Sequence, residues 1–353
     1  MSVHVITAQE VMARYDGFDA VLDARSEGEY ADDHLPGAHN WPSLNNEERI
    51  RVGTLYKQVS PFEAQKIGAA LVAQNISRHI LSHVLDKPKN WQPLVYCWRG
   101  GQRSLSLHWF LGQIGFRSRQ LVGGYKAYRA QVRDELQTLP AQFRYRVLCG
   151  LTGCGKTRLL QALAAEGAQV LDLEGLAAHR GSVLGGLPDQ PQPTQKRFDS
   201  ALWATLRQLD PARPVFVESE SRKIGRVALP AQLLTALHSQ GQPLWVDLPA
   251  AERVALLLQD YAHFAADPAG FCAMLDGLVE LRGRARVAAW QAQARAGDWA
   301  GVFEALMREH YDPGYASSLH RHFPALAGTT PLALADTRPD TLRAAARQLL
   351  SAA

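Results

Sequence analysis

Cysteine is scarce in this 353-residue chain: Cys97, Cys149, Cys154 and Cys272 are all there are, and no two form a CxxC pair. That excludes a disulfide framework and the common two-cysteine zinc spacing. It fits a reducing compartment, where a special cysteine is special for its reactivity. Long apolar runs are missing as well. None nears the roughly 20 residues a membrane helix needs, so no membrane association is expected. The N-terminus "MSVHVITAQE" has no charged leader followed by an apolar stretch, which predicts a cytoplasmic protein. Charge of one sign is not in excess either: a formal +4 permits a polyanionic partner without demanding one. There is no internal repeat. What remains is an ordinary globular composition, 46% hydrophobic and 20% charged, at a length that suggests two domains.

The first part alternates helix and strand signals. "TAQEVMARY" carries a capping box from Thr7 to Glu10, and "SPFEAQKIGAALVAQN" opens with Ser60, Pro61 and Glu63 in the order a helix start favours. "DAVLDAR" reads as a buried strand ending at Asp23, "PLVYC" as one ending at Cys97, and "RQLV" as a third. "SLSLHWFLGQIG" reads as a helix beginning near Ser104 and stopped by glycine. The pattern restarts near residue 140. There "RYRVLC" leads through a glycine loop into the helix "KTRLLQALAAEG", followed by the strands "AQVLD", "PVFVE" and "PLWVD". "GGLPDQPQPTQKRF" reads as a mobile loop, and beyond residue 250 the chain turns helical and arginine-rich. Strands alternating with helices predict parallel sheets, with reactive groups at the strand C-termini.

Two stretches carry chemistry. "GLTGCGKT" fits the phosphate-cradling pattern GxxxxGK[ST] and has the required strand before it and helix after it. Gly150, Gly153 and Gly155 let backbone N–H groups turn onto phosphate oxygens, while Lys156 reaches the outer phosphates and Thr157 can hold magnesium. Cys154 occupies a variable position of the pattern. Asp172, Glu174, Glu218 and Glu220, at or just past strand ends, are candidate magnesium ligands or simple helix caps. No other metal site is expected. The loop alone does not distinguish a nucleotide from another diphosphate.

The second stretch is "LVYCWRGGQRSLSLHWF". Cys97 ends a strand and precedes a glycine-rich turn with Arg99 and Arg103, after which a helix begins. Turn amides, the helix's positive end and the arginines all favour an ionised, nucleophilic sulfur. The same concavity suits an oxyanion or a persulfide.

"VLDARSEGEYADDHLPGAHNWP", with Asp23 and Arg25, and the later "LVGGYKAYR" resemble the opening and closing signatures of rhodanese (sulfurtransferase) domains. That resemblance implies a chalcogen carried on Cys97. One departure stands out: five residues separate Cys97 from Arg103, where common sulfurtransferases have four. Five is the spacing of dual-specificity and tyrosine phosphatases. It leaves a rival reading in which Cys97 attacks a phosphoester and Arg103 clamps its oxygens, coupled to a P-loop ATPase or kinase.

"NNEERIRVGTLYKQVSPFEAQKIGAALV", "YCWRGGQRS", "LTGCGKT", "LDLEGLAAHRGSVLG", "FVESESRKIG" and "HYDPGY" resemble the tRNA 2-selenouridine synthase family over nearly the whole chain. The resemblance implies an α/β chain: a rhodanese-like parallel-sheet domain over residues 1–140, then a P-loop NTPase-like α/β domain over 141–353 with a helical C-terminal part. It also implies selenium-for-sulfur exchange at a wobble 2-thiouridine, with selenophosphate and geranyl diphosphate as substrates and no requirement for ATP. Implied partners are tRNA and an enzyme that makes selenophosphate. Arg180, Arg222, Lys223 and Arg226 are candidate tRNA or diphosphate contacts, with Arg282, Arg284 and Arg286 as a further cluster. His310, Tyr311, Tyr315, His320 and His322 could stack a base or line a prenyl pocket.

Overall fold

The computed structural model describes residues 4–352. The chain divides into two compact units.

The first comprises residues 1–135 and 194–204. Its parallel sheet contains β1 (Val5–Ile6), β2 (Ala20–Asp23), β3 (His39–Asn40), β4 (Pro93–Tyr96) and β5 (Arg119–Leu121), in the order β1-β5-β4-β2-β3. A strand covered on both faces reads as a continuous apolar run, and β4 complies: Leu94, Val95 and Tyr96 have no exposed surface. The register sets Asp23 opposite Tyr96, so both chains leave the sheet at the same level, just before Cys97. Helix starts are well capped. The Thr7–Glu10 box forms as expected, and Ser60 accepts from Glu63 N ahead of the helix Pro61–His83. One side of the core gathers Leu22, Trp41, Ile76, Trp91, Val95, Leu107 and Leu111.

The second unit comprises residues 136–193 and 205–353. Its parallel sheet contains β6 (Tyr145–Cys149), β7 (Gln169–Leu171), β8 (Val215–Glu218), β11 (Gln242–Asp247) and β12 (Leu332–Ala333), in the order β12-β11-β6-β8-β7; β9 (Lys223–Ile224) and β10 (Val227–Ala228) form a separate antiparallel hairpin. β6 is central, and the chain runs first to one side of it and later to the other. The crevice at such a switch point opens over the strand's C-terminal end, where the glycine loop lies. From residue 250 the unit is helical around a core that includes Phe271, Trp290 and Phe303.

Several boundaries differ from expectation. The division falls at residue 135 rather than near 140, and residues 194–204 belong with the first unit. There Ser200 Oγ and Tyr125 OH both donate to the buried carboxylate of Asp33. β4 stops at Tyr96, and the helix after the cysteine turn starts at Gln102, two residues earlier than read. "GGYKAYR" follows the end of β5 at Leu121 and runs into the helix Gly124–Glu135. The segment expected to be a mobile loop ends in helix from Gln195, and Gln192 is bonded to Ala177 O and Ile224 O.

Candidate active sites

In the first unit the chain after β4 wraps around the sulfur of Cys97. Gly101 N–H donates to Sγ at 3.2 Å and the Ser104 hydroxyl at 3.1 Å. Buried Gln120 holds that hydroxyl from behind: its Nε2 donates to Ser104 Oγ and to Gly100 O, both at 2.9 Å. The one proton of that hydroxyl has Cys97 Sγ and Gly101 O within reach, both at 3.1 Å. The sulfur also sits at the N-terminal end of the 13-residue helix Gln102–Ile114, where the helix dipole favours an anion.

The "GGY" that follows β5 closes this turn from below. Tyr125 N–H donates to Cys97 O at 2.8 Å, and a Cβ at Gly124 would lie 2.2 Å from that carbonyl. Only glycine fits there. Underneath, Asp23 and Arg25, neither with exposed surface, form an ion pair at 2.6 Å that Tyr96 OH joins at 2.7 Å. The signature carboxylate and arginine therefore brace the loop rather than face a substrate.

Arg103 is engaged differently from expectation. Its guanidinium pairs with Glu29 at 2.6 Å, and Arg49 pairs with the same carboxylate at 3.0 Å. Burial works to raise the Glu29 carboxyl, but the two arginines outweigh it and hold it below its ordinary value. Arg99 is exposed. Ser104, Gln120 and Glu29 escaped sequence reasoning, because nothing in their spacing marks a contact with the sulfur or its arginine.

In the second unit the glycine loop follows β6 and leads into the helix Lys156–Ala165. Gly153 and Gly155 are left-handed, and a Cβ at Gly150 would meet both Cys154 Sγ and Val246 O at 2.6 Å. Lys156 Nζ donates to Gly150 O at 3.0 Å and Leu151 O at 3.3 Å, and lies 5.6 Å from the Tyr315 ring centroid. Burial opposes its charge, yet Cys154 and the nearby glutamates hold its pKa above the ordinary value. Buried Arg253, which sequence reasoning missed, donates to Thr152 O at 2.9 Å and pairs with Asp312 at 2.6 Å. It ties the loop to the C-terminal helices.

Of the four candidate acids, three converge. Glu174, Glu218 and Glu220 bring ligand oxygens within 4.8 Å of one another, and Thr157 Oγ1 donates to Glu174 at 3.1 Å. Asp172 does not join them; its carboxylate caps Gly175 N at 2.7 Å. Glu218 is wholly buried and neither of its carboxylate oxygens has a partner. Burial first, and then the neighbouring glutamates, push Glu218 well above the usual carboxylate range and Glu220 up to about 8. An all-oxygen set with an orphaned buried carboxylate beside a P-loop threonine fits a magnesium ion.

Two cavities meet at this acid cluster. One, of about 260 Å³, is lined by the glycine loop, Lys156, Thr157, Glu174, Arg180 and Tyr261. The other, of about 750 Å³, is mostly apolar and lined by Leu234, Leu319, Phe323, Arg222 and the stacked pair His238–His322. Glu220 and Tyr315 line both. Arg180 is thus brought to the loop and Arg222 to the apolar cavity, while Lys223 and Arg226 sit exposed on the hairpin. Of the histidine–tyrosine stretch, Tyr315 and His322 line cavities. His310 is buried against Arg282 at 2.9 Å, and Arg286 pairs with Glu309.

Comparison with known proteins matches these two halves to two family models. Residues 7–131 match the rhodanese-like domain, and residues 143–272 match the tRNA 2-selenouridine synthase AAA domain. A tRNA 2-selenouridine synthase of Marinobacter nauticus is 32% identical over 327 residues, covering 84% of this chain and 87% of that relative. The chain belongs to the tRNA 2-selenouridine synthase family. The synthase of Nitrosomonas eutropha is 36% identical over 269 residues, 75% of this chain and 68% of the relative. That of Nitrosomonas europaea is 38% identical over 245 residues, 68% of this chain, and the match spans 63% of the relative's length. The synthase family thus accounts for a rhodanese-like unit followed by a P-loop unit. Among the described residues no helix is long and apolar enough to cross a membrane.

Proposed function

We propose that this chain modifies tRNA in two steps, replacing the sulfur of a wobble 2-thiouridine with selenium. Its relatives are named tRNA 2-selenouridine synthases, which supports the tRNA substrate and the selenouridine product. In the first step the P-loop unit transfers a geranyl group to the thiouridine sulfur. The bond from the geranyl C1 carbon to diphosphate breaks as a carbon–sulfur bond forms. Thiouridine sulfur leaves poorly as an anion; alkylated, it departs as a neutral thiol. In the second step the selenium of selenophosphate, which another enzyme must provide, attacks C2 of the base, the C2–S bond breaks and geranyl thiol leaves. The Cys97 thiolate then attacks the selenium-bound phosphorus, the Se–P bond breaks with its electrons staying on selenium, and water releases the phosphoryl group from Cys97 as phosphate.

One observation carries this reading over a nucleotide in the same loop. The phosphate cavity shares Glu220 and Tyr315 as lining with a mostly apolar cavity nearly three times its volume. An isoprenoid diphosphate has that division into a charged head and a hydrocarbon tail, whereas a nucleotide offers a polar sugar and base. Lys156 and Arg180 would receive the diphosphate charge that develops as the leaving group departs. Magnesium, held by Thr157 and the glutamates, would neutralise the same charge. In the first unit Gly101 N–H and Ser104 OH hold the sulfur ready as a nucleophile.

The test is competitive binding of labelled geranyl diphosphate and labelled ATP. The reading expects geranyl diphosphate to bind in preference to ATP and to lose that affinity in Lys156→Ala. Tighter binding of ATP, or geranyl diphosphate binding that ignores Lys156, would overturn it.

A further inference from the structure

The cysteine turn borders a cavity of about 470 Å³ that the steps above do not use, lined by Trp98, Arg103, Glu29, Arg49 and Asn46 among others. Trp98 follows the nucleophile directly. It is 37% exposed, whereas Trp41 and Trp91 of the same unit are 7% and 5% exposed. A large aromatic left partly in water costs hydrophobic free energy unless something covers it. Its conformation is nevertheless well held. Lys126 N–H donates to Trp98 O at 3.0 Å, and the indole leans on Tyr125, with ring centroids 5.3 Å apart at 31°. The segment that clamps Cys97 O through Tyr125 N therefore clamps the tryptophan too.

The remaining wall is charged. Arg49 and Arg103 share the single carboxylate of Glu29. Asp32, the other acid lining the cavity, is paired with Lys196 at 2.6 Å, so the two arginines keep one positive charge in excess beside the indole. An exposed, braced aromatic ring next to an unbalanced guanidinium is the combination that recognises an unstacked base and its phosphate.

We propose that this cavity is the binding site for the reacting pyrimidine base, which stacks on Trp98 with its neighbouring phosphate against Arg49 and Arg103. The assignment rests on the reading that a thiolated tRNA is the substrate, and it adds where the base lies. Stacking on Trp98 brings the base to the residue adjoining Cys97, so that recognition and reaction are built into consecutive positions of one turn.

The experiment uses the full-length protein and an anticodon stem-loop carrying 2-thiouridine at the wobble position. Affinity is followed by tryptophan fluorescence quenching and by KM for selenouridine formation. Trp98→Ala is expected to weaken stem-loop affinity by about 5- to 150-fold and Trp98→Phe to restore most of it. Trp109→Ala is the control, since Trp109 is 53% exposed and lines none of the cavities described above; it should change nothing. Alkylation of the Cys97 thiol by iodoacetamide without RNA should be unaffected in Trp98→Ala. Unchanged affinity and KM in Trp98→Ala would overturn the base site and leave the tRNA reading standing. Loss of that thiol reactivity in the variant would also overturn it, because Trp98 would then only shape the turn. If the wild-type protein does not bind the stem-loop at all, the tRNA reading falls, and the base site with it.

Discussion

The two glycine turns follow the same architectural recipe and are electrostatic opposites. Each leaves the C-terminal end of a buried parallel strand and feeds the N-terminus of a helix. Around Cys97 the ligands of the sulfur are neutral: one amide and one hydroxyl, the latter held by a glutamine. Around Lys156 a buried cation faces three crowded carboxylates, one of them without any hydrogen-bond partner. The first turn is built to carry a negative atom with little reorganisation. The second crowds carboxyl groups that hold on to protons until a divalent cation takes their place. Similar backbone shapes therefore support a nucleophile in one unit and leaving-group stabilisation in the other.

The sharpest way to break this comparison is to remove each turn's distinguishing atom. Cys97→Ala is predicted to lower selenouridine formation by at least about 1,000-fold while geranylation proceeds, both read by nucleoside mass spectrometry. Equal loss of both products would mean that the two turns do not divide the work. Lys156→Ala should reverse the pattern, lowering geranylation about 100-fold or more and leaving conversion of pre-geranylated tRNA to selenouridine intact.

A smaller effect tests the acid cluster through pH. Glu220 titrates in the fold near 8, above its ordinary value of 4.5, so between those values the folded state binds more protons than the unfolded one. Without a divalent cation, stability should fall as pH rises from about 4.5 to 8, by up to about 1.4 kcal/mol per unit for one proton, and level off above. Magnesium should flatten the slope, because it takes the proton's place. A melting temperature in magnesium-free buffer that rises with pH over that window would contradict the cluster's assigned charge state. Glu218→Gln should raise stability in magnesium-free buffer and weaken the response to magnesium. The smallest effect is expected from Ser104→Ala, which removes one of two donors to the sulfur. Thiol alkylation at Cys97 should slow at fixed pH by up to about tenfold, the worth of one hydrogen bond to the sulfur.

Much of this was legible in the chain. Buried strands announce themselves as apolar runs, and the caps at Thr7, Ser60 and the P-loop glycines have local signatures, so the two parallel sheets and both turns could be read directly. Glu174, Glu218 and Glu220, candidates because they sit at or just past strand ends, come together in the fold, while Asp172 takes the other role the sequence left open, that of a cap on Gly175. What could not be read are contacts across long separations. Arg253 reaches Thr152 over 101 positions, Arg103 reaches Glu29 over 74, and the segment 194–204 belongs with a unit whose other residues end at 135. Charge and spacing do not encode such pairings; they arise from packing. The open apolar cavity beside the acids was also invisible, since Leu234, His238, Leu319 and His322 come from two distant helices.

One measurement tests the division of labour most directly. Thiolated tRNA is incubated with geranyl diphosphate, selenophosphate and either wild-type protein or the Cys97→Ala variant, and the wobble nucleoside is identified by mass spectrometry. The account predicts selenouridine from the wild type and geranylation without selenouridine from the variant. Selenouridine formed at an undiminished rate by Cys97→Ala would contradict it.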